Sequence, residues 1–169
     1  MKHQTACFLL ITMLLTGCGT EPQQPVLPYD ERTDLYETAI EAARNEVTNE
    51  SFPLIDDADD DNAEAVFDLL NIVPEDLNAY AISVSLVDVK AYAVAAIYPA
   101  AGKEDAILES LRRFIIGQQH SFKEYLADQY EIAVNTRLET LADGTILLVM
   151  SENQDAIFDS IRDTIERRK

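Results

Sequence analysis

The 169-residue chain has no tryptophan, two cysteines, five glycines, and 13 basic residues against 31 acidic ones. Each scarcity removes a class. Cys7 and Cys18 are too few for the disulfide framework of a small secreted fold or for a cysteine-rich zinc site. The glycines stand in neither phosphate-loop nor dinucleotide-binding spacing, so no nucleotide motif is present and no cofactor is implied. A formal charge of −18 repels nucleic acid and anionic lipid headgroups, so no nucleic-acid partner is expected. No apolar run approaches the roughly 20 residues of a membrane-spanning helix.

The N-terminus carries the clearest positive signal. Lys2 and His3 precede the apolar stretch Ala6–Leu15, which ends at Leu15-Thr16-Gly17-Cys18. An apolar run of about ten residues is a signal-peptide core in length. The small residues Thr16 and Gly17 suit a peptidase cleft, and Cys18 behind them offers a thiol for lipid transfer. The arrangement resembles the bacterial lipobox. It predicts a signal peptide over 1–17, a lipidated Cys18, and a spacer over 18–31 that is polar and rich in proline. The domain proper then spans 32–169. Loss of residues 1–17 removes one lysine and no acid, leaving a charge of −19. Attachment to the outer face of the cell membrane would then rest on lipid, since no basic patch could supply it.

The remainder reads as one α+β domain. Leu35, Ala39, Ala42, Ala43 and Val47 recur at helical spacing over Thr33–Asn49, and Pro53 stops that helix. A shorter helix over Asn62–Leu70 is expected, capped by Asp61 with Glu64. Residues 80–86 and 91–98 alternate as strands. A long helix follows over Lys103–Ala127, with Gly117 inside it as a kink or a close crossing over the sheet. Strands at 132–138 and 146–150 flank the Asp143-Gly144 hairpin signal. A two-residue loop would pair Leu138 with Val149 and Glu139 with Leu148; a one-residue shift exchanges the partners. A last helix is capped by Ser151 with Gln154 and presents Ile157, Phe158, Ile161 and Ile165. The expected order is ααββαββα: a four-stranded, mainly antiparallel sheet with helices packed mainly on one face. Ile146–Met150, apolar on both faces, belongs inside the sheet or under cover on both sides.

Phe122-Lys-Glu-Tyr125, Gln129-Tyr130-Glu131, Asn135, Gly144 before a hydrophobic strand ending at Ser151, and Phe158 in the last helix together suggest a family. In order and spacing they resemble a family of small lipoproteins from Gram-positive bacteria, catalogued as domain of unknown function 4358. The resemblance covers roughly residues 50–165. The chain departs from the pattern at Ala91-Tyr92-Ala93, which lacks the expected acid at the start of the second strand. The resemblance implies a location and a fold, and no catalytic residues.

Candidate chemistry is sparse. His120 and Ser121 are adjacent on a helix and diverge by about 100°, which does not make a dyad. Asp57, Asp59 and Asp61 occupy the first, third and fifth places of a calcium loop, but the twelfth place is Asp68 and the ninth Ala65. The solvated acidic turn is the favoured reading of that run. Arg112 and Arg113 could grip a phosphate or an acidic partner. Tyr92, Tyr98, Tyr125 and Tyr130 lie near the sheet and its helix, where tyrosines often line clefts and interfaces. The expectation is a lipid-anchored, non-enzymatic domain binding an extracytoplasmic protein or small ligand. The alternatives are a hydrolase with carboxylates in a cleft, and a divalent-cation module at 56–62.

Overall fold

The structure, a computed structural model, describes residues 27–168. The signal segment, Cys18 and most of the spacer lie outside the described residues. The order is α1 (Tyr29–Ala43), α2 (Glu46–Ser51), α3 (Ala63–Leu70), a 3-10 turn at Pro74–Asp76, β1 (Leu77–Val84), β2 (Ala93–Pro99), α4 (Glu104–Phe122), α5 (Ala127–Val134), β3 (Arg137–Thr140), β4 (Ile146–Met150) and α6 (Gln154–Arg167). The α+β class and the four-stranded antiparallel sheet are as expected, with strand order β1-β2-β4-β3. Among the described residues no helix is long and apolar enough to cross a membrane.

The helices do not gather on one face. Helices α3, α4 and α5 cover the face that presents Ile82, Ala93, Ala95, Ile97, Ile146, Leu148 and Met150. Helices α1 and α6 cover the opposite face, with Ala79, Ala81, Val94, Ala96, Leu147 and Val149. The long helix and the C-terminal helix, expected together, are therefore on opposite sides. The reason is visible in β4. It is apolar at every position, interior in the sheet, and wholly buried, which only cover on both faces achieves. Alanines in β1 and β2 keep both surfaces shallow, so helices approach closely from either side.

Three local departures have simple causes. The first helix ends at Ala43, because Arg44 turns extended and Asn45 caps a new helix, accepting the Thr48 N–H at 2.9 Å. A side-chain acceptor there competes with helix continuation. At its other end α1 begins at Tyr29, inside the segment read as spacer. Helix α4 stops at Phe122, and the start of the expected third strand, Ile132–Val134, is instead the end of α5, which buries Gln129 and Ala133 while Val134 is exposed; the strand β3 begins at Arg137. A two-residue alternation in so short a stretch does not separate strand from helix.

The hairpin turn is one residue longer than a two-residue loop. Leu138 pairs with Leu148 and Glu139 with Leu147. Gly144 N–H donates to the Leu141 carbonyl at 3.0 Å, and Gly144 holds φ 89°, a tight turn closed by a left-handed glycine. The expected caps also differ. Helix α3 starts after Asn62 and α6 after Asn153, neither with a side-chain cap, while Ser151 Oγ donates to the Glu152 carbonyl. Gly117 is exposed, and a Cβ there would meet nothing within 4 Å. It marks no close crossing.

Candidate functional site

Helix α1 buries Leu35, Tyr36, Ala39 and Ile40 against the sheet. The same face carries an arginine at each end, Arg32 in the first turn and Arg44 just past the last. Both are buried, at 6% and 9% exposure, and their surroundings differ in one decisive respect.

Arg32 is neutralised. Its Nη1 donates to Asp143 Oδ2 at 2.6 Å and to the Tyr36 hydroxyl at 3.3 Å, and its guanidinium lies 4.1 Å from the Tyr98 ring centroid. Tyr36 and Thr145 share a hydroxyl hydrogen bond of 2.6 Å. Burial opposes ionisation of Asp143, but the Thr145 N–H and the Arg32 guanidinium outweigh it and hold the carboxyl below its usual range. Burial pushes the Tyr36 phenol up to about 12. This cluster ties α1 to the β3–β4 hairpin.

Arg44 has no such partner. Its Nη1 donates to the Phe52 carbonyl (3.1 Å), Ser83 Oγ (2.9 Å) and the Tyr92 hydroxyl (3.0 Å), all neutral acceptors. Among the described residues no carboxylate oxygen lies within ion-pair distance of it. Its Nε, like that of Arg32, is buried and carries no hydrogen bond, so the difference between the two lies in the countercharge. Ser83 Oγ in turn donates to the Phe52 carbonyl at 2.8 Å, and the Phe52 and Tyr92 rings stack with centroids 4.1 Å apart.

Arg44, Phe52 and Tyr92 line a half-open cavity of about 730 Å³ at one end of the sheet. It lies between the end of α1, the start of α2, the approach to β2 and the start of α6. Ala42, Ala91, Ala156 and Ile157 give it an apolar side, and Asn45, Asn153 and Ser160 a polar one. At its rim Lys90 Nζ meets Glu152 Oε1 at 3.2 Å. A volume of this order suits a small molecule. The α6 N-terminus, without a side-chain cap, brings unpaired N–H groups and partial positive charge to the same end of the sheet.

The structure does not assemble the residues singled out in the sequence. Tyr92 lines the cavity, while Tyr98 packs under Arg32, and Tyr130 packs partly buried against the other core. Tyr125 is 88% exposed at the turn after α4. Arg112 and Arg113 are exposed on α4, the latter paired with Glu109 at 3.1 Å. His120 is exposed, and Ser121 Oγ donates to the Gly117 carbonyl. Asp57 Oδ1 accepts the Asp59 N–H at 2.9 Å, while Asp61 is exposed. Among the described residues no group of three or more His, Cys, Asp or Glu side chains is placed to hold a metal ion. Arg44 was missed. Its signal was present: it continues the buried stripe Tyr36–Ile40 by one more helical step, and no lysine or arginine follows until Lys90.

Among known families, the model described as Domain of unknown function (DUF4358) matches residues 51–151. The chain belongs to this family. No curated protein and no solved structure matches it. The matched segment runs from the last residue of α2 through β4, and so contains Phe52, Ser83, Tyr92 and Ser151. Arg44 and the body of α6 lie outside it, so the cavity joins the family segment to flanking elements.

Proposed function

We propose that this DUF4358 domain is a non-enzymatic ligand-binding module, held at the outer face of the cell membrane by lipid on Cys18, with the Arg44 cavity as its binding site. One observation carries the reading. A buried guanidinium lines a cavity of small-molecule size with no countercharge beside it, and burying an unpaired charge is costly unless a partner arrives. The lipobox-like Leu15–Cys18 segment supports the tether. An extracytoplasmic protein could be met at the same half-open mouth; the volume of the cavity suits a small ligand.

The test is a fluorine-labelled fragment screen by NMR on the full chain and on Ala156→Trp. Ala156 is an exposed residue of α6 that lines the cavity, so the indole fills the space without entering the core. The reading expects fragments that bind the wild type and are lost in the variant. Fragments that bind both proteins equally, or no binding fragment at all, contradict it.

A further inference from the structure

The loop that joins β1 to β2 leaves large apolar side chains in solvent. Leu86, Val87 and Val89 are 45%, 57% and 66% exposed. The loop is nonetheless held: the Ser85 N–H donates to the Tyr92 carbonyl at 3.0 Å, and Ser85 Oγ accepts the Val87 N–H at 3.3 Å. Its tip stands between two grooves of about 320 and 270 Å³, both of which it lines with Ser85, Leu86 and Val87. Helix α3 borders one through Ala65 and Leu69, and the other through Val66 and the preceding Asn62. Pro53, Ala65 and Leu69 are exposed as well. The apolar surface is therefore clustered, and clustering is what marks a docking surface. A held loop gives up little freedom when a partner settles on it.

The charges around the patch select its partner. Asp88 lines the larger groove, and Asp61, Glu64 and Asp68 are exposed next to the residues that border the two. No lysine or arginine lines either groove. Lys90, at the far end of the loop, is paired with Glu152, and Lys123, next to Phe122, is outnumbered by the acids. A second copy would bring the same acids and a charge of −18 against the patch, and is repelled. Position disfavours the bilayer. Helix α1 begins at Tyr29, whose ring lies 6.1 Å from that of Tyr98 near the end of β2, whereas the loop precedes the start of β2. On the proposed tether, the loop is thus at the far end of the sheet from the anchored terminus. What fits is a segment apolar on one side and basic on its flanks. We propose that the Leu86–Val87 ridge and its two grooves dock a cationic amphipathic segment of a partner protein. Its apolar side chains enter the grooves, and its lysines or arginines meet the acidic banks. This surface is separate from the Arg44 cavity and borrows only the tether from the reading above.

The probes are a leucine–lysine peptide with its leucines on one helical face, an isomer with the leucines scattered, and a leucine–glutamate counterpart. Each is titrated into the full chain at neutral pH and followed by NMR. The amphipathic lysine peptide is expected to bind about tenfold tighter than its isomer, and more weakly as salt is added. The glutamate peptide is expected not to bind. The double variant Leu86→Ser, Val87→Ser should lose about tenfold in affinity, and Ala156→Trp nothing. In the wild type the amide shifts should be largest at Ala65, Leu69, Leu86 and Val87, which decides the matter even if the double variant fails to fold. Equal binding of the isomer reduces the effect to general charge attraction and overturns the proposal. Binding unchanged in a folded double variant, or shifts centred elsewhere, overturns the choice of surface, as does loss of binding in Ala156→Trp. Self-association of the chain that the double variant abolishes would assign the patch to a second copy. Binding to phosphatidylcholine vesicles that the double variant abolishes would assign it to the bilayer. Either result overturns the partner proposed, and failure of the lysine peptide to bind overturns the proposal outright.

Discussion

Arg44 donates from Nη1 to the Tyr92 hydroxyl at 3.0 Å, joining the end of α1 to the approach of β2 across the floor of the cavity. The same nitrogen reaches Ser83 and the Phe52 carbonyl, so one side chain ties three segments together and lines the site. Its structural share is separable. Arg44→Ala should lower the unfolding free energy by about 1–3 kcal/mol, the range for losing hydrogen bonds to a charged donor. Urea denaturation checks this, and a change below about 0.5 kcal/mol would show that the network holds nothing.

The opposite end of α1 should respond more strongly. Asp143→Asn leaves Arg32 buried without its countercharge, and the expected loss is about 2–3 kcal/mol, less than for a fully enclosed pair because Asp143 is partly exposed. The pH dependence follows in sign. The folded state holds this carboxyl below its ordinary value of 3.8, so its contribution is complete above that value and fades as pH falls through the lower folded value. In acid the wild type should lose stability that Asp143→Asn never had, so the two denaturation midpoints converge.

Glu37 works the other way. Burial, with Asp56 close enough to share a proton and Glu41 and Asp34 nearby, pushes its carboxyl from 4.5 up to about 7. Between those values the folded chain binds more protons than the unfolded one, so stability falls as pH rises through that window and levels off above it. Glu37→Gln should flatten the slope and raise the melting temperature at pH 8. Carbon-detected titration of the Glu37 carboxyl near pH 7 provides the direct reading.

The two unlike glycines make a paired test. Gly144 sits at φ 89°, and a Cβ there would lie 3.3 Å from Tyr98 Cε2. Gly144→Ala should cost about 1–2 kcal/mol from the left-handed backbone alone. Gly117 has open space at its Cβ position inside a continuous α4, so Gly117→Ala should stabilise by about 0.5–1 kcal/mol. Thermal denaturation of both variants distinguishes a glycine the turn requires from one the helix tolerates.

Much of the fold was legible because the apolar pattern is strong where packing is tight. Ile146–Met150 could be placed inside the sheet from its two apolar faces alone, and the Asp143-Gly144 turn from its residues. Less was legible where a short polar side chain decides between alternatives. Asn45 splits the first helix by capping a second, and Ile132–Val134, the start of a strand alternation, fold as the end of a helix. The two-sided helix cover followed from β4 but was not drawn from it. The cavity itself was the least legible part. It is assembled from α1, α2, β2 and α6, and its central cation reads in sequence as an ordinary helix-terminal arginine. Of the tyrosines singled out, only Tyr92 reaches it, because Tyr98 lies at the other end of β2 and Tyr125 falls after α4 has ended.

A structure of the full chain with a fragment that binds the wild type and not Ala156→Trp tests the central claim most directly. The account predicts the fragment in the cavity lined by Arg44, Phe52 and Tyr92. An empty cavity at saturating fragment, or the fragment bound elsewhere, would contradict it.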